Sequence, residues 1–85
     1  MISAFVDGST GGNTTDEKSI NFGYTFSSIP TVFITGQDAP GRNGEVASML
    51  LNVKSVTTTG CVFFQRNFNG NTCWARANIL AIGPA

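Results

Sequence analysis

The stretch Cys61-Val62-Phe63-Phe64-Gln65-Arg66-Asn67-Phe68-Asn69-Gly70-Asn71-Thr72-Cys73-Trp74-Ala75-Arg76-Ala77-Asn78-Ile79-Leu80-Ala81-Ile82 decides the fold class. Two runs that read as strands, 61–67 and 72–82, flank Asn69-Gly70, the dipeptide suited to the two positive-φ positions of a type I′ turn. A two-residue turn there pairs Arg66 with Cys73, Gln65 with Trp74, Phe64 with Ala75, Phe63 with Arg76 and Cys61 with Asn78. The strand period of two then sorts the side chains into two faces. Val62, Phe64, Cys73, Ala75, Ala77, Ile79 and Ala81 form the expected core face. Cys61, Phe63, Gln65, Trp74, Arg76, Asn78 and Leu80 form a mixed face, too polar for a core and too apolar for open water. Aromatic residues with Arg are the types enriched where proteins bury surface against each other. Trp74, Arg76, Phe63, Asn78 and Gln65 are therefore the candidate subunit-interface residues. In this register Cys61 and Cys73 point to opposite faces, roughly 16 Å apart along the ladder, so no intrachain disulfide is expected.

Working outward, further strands are expected over residues 2–6, 19–22, 31–35 and 46–56. The last of these places Met49, Leu51 and Val53 on one side and Ser48, Asn52 and Lys54 on the other. Residues 45–51 also contain fair helix formers, but no helical cap accompanies them and Thr57-Thr58-Thr59-Gly60 ends the run. Two polar, glycine-containing stretches, 8–17 and 36–44, read as surface loops. About six short strands with turn signals and no helical segment argue for one domain over residues 1–85, an all-β, six-stranded antiparallel sandwich. The amino terminus has no basic region before its apolar residues, and no apolar run approaches the roughly 18 residues of a membrane span. Neither a classical secreted precursor nor membrane insertion is expected.

Composition narrows the function. Charged residues make up 12% of the chain, about half the usual share. Gly, Thr, Asn and Ser supply 35 of the 85 residues instead. Five Lys/Arg balance five Asp/Glu, which leaves no electrostatic footprint for nucleic acid or an anionic membrane. The chain has no His, so the commonest general base and metal ligand are absent, and the two cysteines match no zinc or redox spacing. Asp7, Asp16 and Glu17 lack the spacing of a calcium loop, and Gly11-Gly12 lacks the Lys of a phosphate loop. Asn13-Thr14-Thr15 fits a glycosylation sequon, expected to be unoccupied without a signal peptide. The expectation is a binding or structural protein, not an enzyme, with no cofactor and no metal. A domain this small buries only about 60% of its unfolded surface. With a disulfide excluded, oligomerisation is the expected source of added stability.

The order of motifs, Ile20-Asn21-Phe22 with Phe26, then Ile29-Pro30-Thr31-Val32-Phe33-Ile34-Thr35, Thr58-Thr59-Gly60, Trp74 and Ile79-Leu80-Ala81-Ile82-Gly83, resembles the H-type lectin domain. It also resembles the C-terminal receptor-binding modules of bacteriophage tail fibres, over about residues 2–83. The resemblance implies a six-stranded sandwich that assembles as a homotrimer, with sugar held in clefts between subunits. Animal members hold N-acetylgalactosamine with an Arg on the fourth strand and a Trp-His pair beside the last turn. Here those positions carry Ser48 and Asn67-Phe68, so that specificity does not carry over. Asp7 corresponds to an amino-terminal Asp of the family.

The candidate ligand-binding residues are Phe68, Asn69 and Asn67 at the last turn, Asp38 and Arg42 in the 36–44 loop, and Asp7. An exposed ring offers a flat apolar surface to a pyranose, and amides both donate to and accept from hydroxyls. The plainer alternatives are that Asn69-Gly70 serves the turn, that Phe68 folds back on the sheet, and that Asp38 pairs with Arg42. The expected function is a non-catalytic, virion-associated, tail-fibre-like trimer that recognises a host surface glycan or receptor. The alternative is a trimeric decoration or connector protein that contacts only other virion proteins. Either is expected in the virion, and in host cytoplasm during assembly.

Overall fold

Alternating inward and outward side chains run through six strands: β1 (Ile2–Thr10), β2 (Thr15–Asn21), β3 (Thr31–Gln37), β4 (Met49–Val56), β5 (Gly60–Asn67) and β6 (Cys73–Ile82). The computed structural model describes residues 1–84. The strands form two antiparallel sheets of three, in the orders β1-β6-β3 and β2-β5-β4, which enclose the core as a sandwich. The all-β antiparallel sandwich expected from the strand pattern is the fold.

The hairpin at Asn69-Gly70 does not form. β5 lies between β2 and β4, whereas β6 lies between β1 and β3 in the opposite sheet. Neither Asn69 nor Gly70 takes positive φ; among the described residues Asn13, Gly23 and Gly41 do. Residues 68–72 instead arch from one sheet to the other on side-chain amides. Asn67 Oδ1 accepts the Asn69 N–H at 2.8 Å, and Asn69 Oδ1 accepts the Asn71 N–H at 2.9 Å. Each is an Asx turn, in which the side chain stands in for a backbone turn.

The lost pairing inverts the expected face of β5. Cys61, Phe63, Gln65 and Asn67 point into the core, and Val62, Phe64 and Arg66 point outward. Strands in different sheets share no register, so the inward set of β6 places no constraint on β5. On β6 the inward set is as expected: Cys73, Ala75, Ala77, Ile79 and Ala81. Phe63 and Gln65 are thereby removed from the candidate interface, being 0% and 1% exposed within their own chain.

The core is apolar at one end and polar at the other. Phe22, Phe26, Cys61, Ile79 and Ala81 cluster with Ile20, Val32 and Val56 at the first end. At the other, Gln65 Nε2 donates to Gly8 O at 3.0 Å and to Thr10 Oγ1 at 2.9 Å. Asn67 Nδ2 donates to Thr10 O at 3.0 Å and Asn71 O at 2.8 Å. Thus β5 of one sheet is tied to β1 of the other. No buried side-chain nitrogen or oxygen among the described residues lacks a partner.

Smaller corrections follow from backbone pairing. β1 runs on through Gly8 and Ser9 to Thr10, opposite Cys73, and β2 starts at Thr15, so the expected loop 8–17 shrinks to residues 11–14. The ladder satisfies backbone groups whatever the side-chain polarity, so polar residues extend both strands. Val46–Ser48 is a 3-10 turn, and β4 begins at Met49 with Met49, Leu51 and Val53 inward as expected. Cys61 and Cys73 are free, as expected, although both face the core.

Replacing Asn67 with Ala strands the carbonyls of Thr10 and Asn71 and the Asn69 N–H. Urea unfolding is expected to show a loss of about 2–4 kcal/mol for Asn67→Ala, against within about 0.5 kcal/mol for the outward-facing substitution Val62→Thr.

Candidate functional site

Two surfaces carry the chemistry. The first is the outer face of the β1-β6-β3 sheet. Register brings Asp7 opposite Arg76, Phe5 opposite Asn78 and Phe33 opposite Leu80. Phe5 and Phe33 are 57% and 55% exposed. Arg76 donates from Nε to Asp7 Oδ1 at 2.8 Å and from Nη2 to Asp7 Oδ2 at 3.0 Å. Its guanidinium also lies 4.1 Å from the Phe5 ring centroid. Arg42 reaches from the β3–β4 loop to stack 4.3 Å over Trp74, and Asn78 Nδ2 donates to Gln37 Oε1 at 2.8 Å. The hydrogen bonds from Arg76 hold the Asp7 carboxyl below its ordinary range against the opposing effect of burial. The positive charges of Arg76 and Arg42 add to that lowering.

The second surface is the end of the sandwich where three connections meet. Asn13 N–H donates to Asn69 O at 3.0 Å, Phe68 N–H to Ser48 O at 2.9 Å, and Asn43 Nδ2 to Thr72 O at 3.3 Å. Residues 11–14, the 38–48 segment and the 68–72 arch are thus knitted into one apex. Phe68 is 58% exposed at its summit, with the Arg66 guanidinium 5.0 Å from its ring. Arg66 Nη1 donates to Asn13 O at 3.1 Å, which fixes the cation beside that ring. An exposed aromatic ring flanked in sequence by Asn69 and backed by Arg66 suits the apolar face and hydroxyls of a sugar.

The residues singled out from the sequence divide between these surfaces. Phe68 and Asn69 lie at the apex. Asn67 does not join them: it is 0% exposed, and its amide is consumed by the arch and by Thr10. Asp38 Oδ1 accepts the Val46 N–H at 2.8 Å and closes its own loop, and Arg42 stacks on Trp74 and forms no ion pair with Asp38. Asp7 and Arg42 join Trp74, Arg76 and Asn78 on the sheet face instead. Asp7, Asp16 and Glu17 separate onto different partners, Arg76, Lys18 and Lys54. No group of three or more His, Cys, Asp or Glu among the described residues is placed to hold a metal.

Sequence reading passed over Phe5, Phe33 and Arg66. The first two have a legible signal, since each alternates with outward polar residues: Ser3 and Asp7 around Phe5, Thr31 and Thr35 around Phe33. Ser48 offers its backbone carbonyl to Phe68.

Two antiparallel three-stranded sheets packed as a six-stranded sandwich define the fold class. The family model of the H-type lectin domain matches residues 17–82, and the chain belongs to that family. Among solved structures it is similar to an N-truncated R1-type pyocin tail fiber, with a TM-score of 0.75 and 21% identity over 95% of this chain and 69% of that one. At that identity the likeness is one of fold. No curated protein matches the chain. Among the described residues no helix is long and apolar enough to cross a membrane.

The Asp7–Arg76 pair has a pH signature. A carboxyl whose folded pKa is depressed adds stability above its unfolded value, about 3.9. That contribution disappears as pH falls through the lower folded value. Calorimetric melting temperatures are expected to fall less steeply below about pH 4 in Asp7→Asn than in the parent protein.

Proposed function

We propose that this domain is a non-catalytic recognition module of a virion, of the tail-fibre kind, that works as a homotrimer and binds a host surface glycan or receptor. The observation that carries the reading is the outer face of the β1-β6-β3 sheet. Phe5, Phe33, Trp74, Leu80 and Ile82 lie on one flat surface whose only ion pair, among the described residues, is already closed between Asp7 and Arg76. Exposed apolar surface of this kind marks an interaction site. Covering it with further copies keeps Arg76 paired with Asp7 and leaves the Arg42 guanidinium, stacked on Trp74, to be met by a polar group of the neighbouring copy. The interface set is then Trp74, Arg76 and Asn78, joined by Phe5 and Phe33.

Ligand binding is assigned to the apex through Phe68 and Asn69, with Asn71 and Arg66 beside them. Membership of the H-type lectin family supports a carbohydrate ligand, and the likeness to a pyocin tail fiber supports the virion setting. The absence of His and the balanced charge support a module that performs no catalysis and binds no nucleic acid. One observation favours the second reading, a decoration or connector protein without sugar binding. Asn67, one of the side chains suited to a ligand, is spent on the fold.

Light scattering at micromolar concentration is expected to give three chain masses, and Phe5→Asp with Phe33→Asp to give one. A monomeric parent protein overturns the interface. On a glycan array the trimer is expected to bind, with Phe68→Ala and Asn69→Ala each weakening the signal by about tenfold, the scale of one lost ligand contact. Binding that survives both substitutions moves the site away from the apex. A blank array on an intact trimer establishes the structural reading.

A further inference from the structure

At the end of the sandwich opposite the apex, the outer face of the β2-β5-β4 sheet holds a cavity of about 240 Å³. Its floor is Val62 and Gly60 of β5, and its walls are Ser19 and Asn21 of β2 on one side and, on the other, Ser55 of β4 and Thr57 just after it. Register sets Ser19, Val62 and Ser55 in one row across the three strands. At about 4.8 Å per strand the two serines stand roughly 10 Å apart.

Several features of the cavity bear on a ligand. Gly60 is required where it stands, since a Cβ there meets Ile20 O at 2.5 Å, and its missing side chain deepens the floor. Thr57 Oγ1 is occupied by the β4–β5 turn, accepting the N–H groups of Thr59 and Gly60. Asn21 Oδ1 accepts the Gly23 N–H at 2.7 Å, which orients the amide and leaves Nδ2 as a donor. The Ser19 and Ser55 hydroxyls are exposed and have no protein partner among the described residues. Apart from Cys61, whose side chain is buried toward the core, no ionisable side chain lines the cavity.

We infer that this cavity is a second carbohydrate subsite, for a single neutral pyranose. An apolar floor of Val62 matches a C–H face, and hydroxyls and an amide at the rim match ring hydroxyls. The uncharged lining disfavours acidic sugars and phosphates, which would be desolvated there without a counter-charge. The volume is below the roughly 300–1,000 Å³ of drug-sized ligand pockets, which suits contact with a single ring. The subsite lies on the sheet turned away from the proposed subunit interface and does not depend on the apex reading. In a trimer it would be presented three times, so millimolar single-site binding would gain avidity on a multivalent surface.

The test is titration of the whole labelled protein with methyl α-glucopyranoside, methyl α-galactopyranoside and methyl α-mannopyranoside, with glucuronate and glycerol as comparators, followed by backbone amide spectra. At least one neutral pyranoside is expected to shift the amides of Ser19, Ser55, Gly60 and Val62 saturably at about millimolar to tens of millimolar concentration. Glucuronate and glycerol are expected to shift them about tenfold more weakly. Ser19→Leu with Ser55→Leu fills the cavity, and Ser19→Ala with Ser55→Ala removes the hydroxyls without bulk. Both pairs are expected to abolish the shifts, and Phe68→Ala to leave them unchanged. Shifts confined to Asn69, Asn71 and Thr72 support the apex and overturn this subsite. No movement in the four cavity amides with any of the three pyranosides, equal binding of glucuronate or glycerol, or shifts that persist in the double-alanine protein, also overturns it.

Discussion

Hydrogen bonds from the buried amides of Gln65 and Asn67, crossing from β5 of one sheet to β1 of the other, govern the apex end of this sandwich. Alanines at 75, 77 and 81 face the interior from the central strand β6, so packed hydrocarbon alone holds the two sheets loosely in register. An amide sealed from water must find its partners or forfeit its hydration, and it finds them in one geometry only. Each bond adds about 1 kcal/mol net, less than a well-buried aromatic ring. Their directionality decides which face of β5 turns inward and how far β1 extends. The apolar end around Phe22 and Phe26 contributes burial; the polar end contributes uniqueness.

The same bonds build the apex. With Asn67 clamped between Thr10 and Asn71, the next residue, Phe68, is turned out to solvent, and Arg66 on the outer face is free to lie under its ring. This pairing of cation with ring recurs. Four of the five Lys/Arg side chains rest over aromatic rings: Arg42 on Trp74, Lys54 on Phe64, Arg66 on Phe68 and Arg76 on Phe5. At exposed sites each such contact is worth about 0.5–1 kcal/mol. Most of the chain's cations are therefore stacked on surface rings, and the five Asp/Glu that balance the five Lys/Arg leave no net charge to build a basic field.

Local pattern was legible where a local rule decides. The inward sets of β4 and β6 follow from period-two alternation, and the family is carried by short apolar motifs. The face of β5 was not legible from its neighbour, because Asn69-Gly70 satisfies a hairpin rule that takes no account of which sheet each strand joins. Asn67, Asn69 and Asn71, spaced two apart, are the signal of successive Asx turns that favours an arch. Read that way, Asn67 becomes an anchor of the fold and leaves the candidate ligand set.

By itself the sequence determined an all-β domain of two-faced strands with H-type lectin ancestry, because alternation and turn chemistry act over a few residues. Only the tertiary structure decided that β5 and β6 part company, that Phe63 and Gln65 are core, and that Phe5 and Phe33 share a face with Trp74. Period two defines two faces for a strand without saying which is inside. That choice belongs to contacts between residues more than 50 positions apart, such as Gln65 with Thr10.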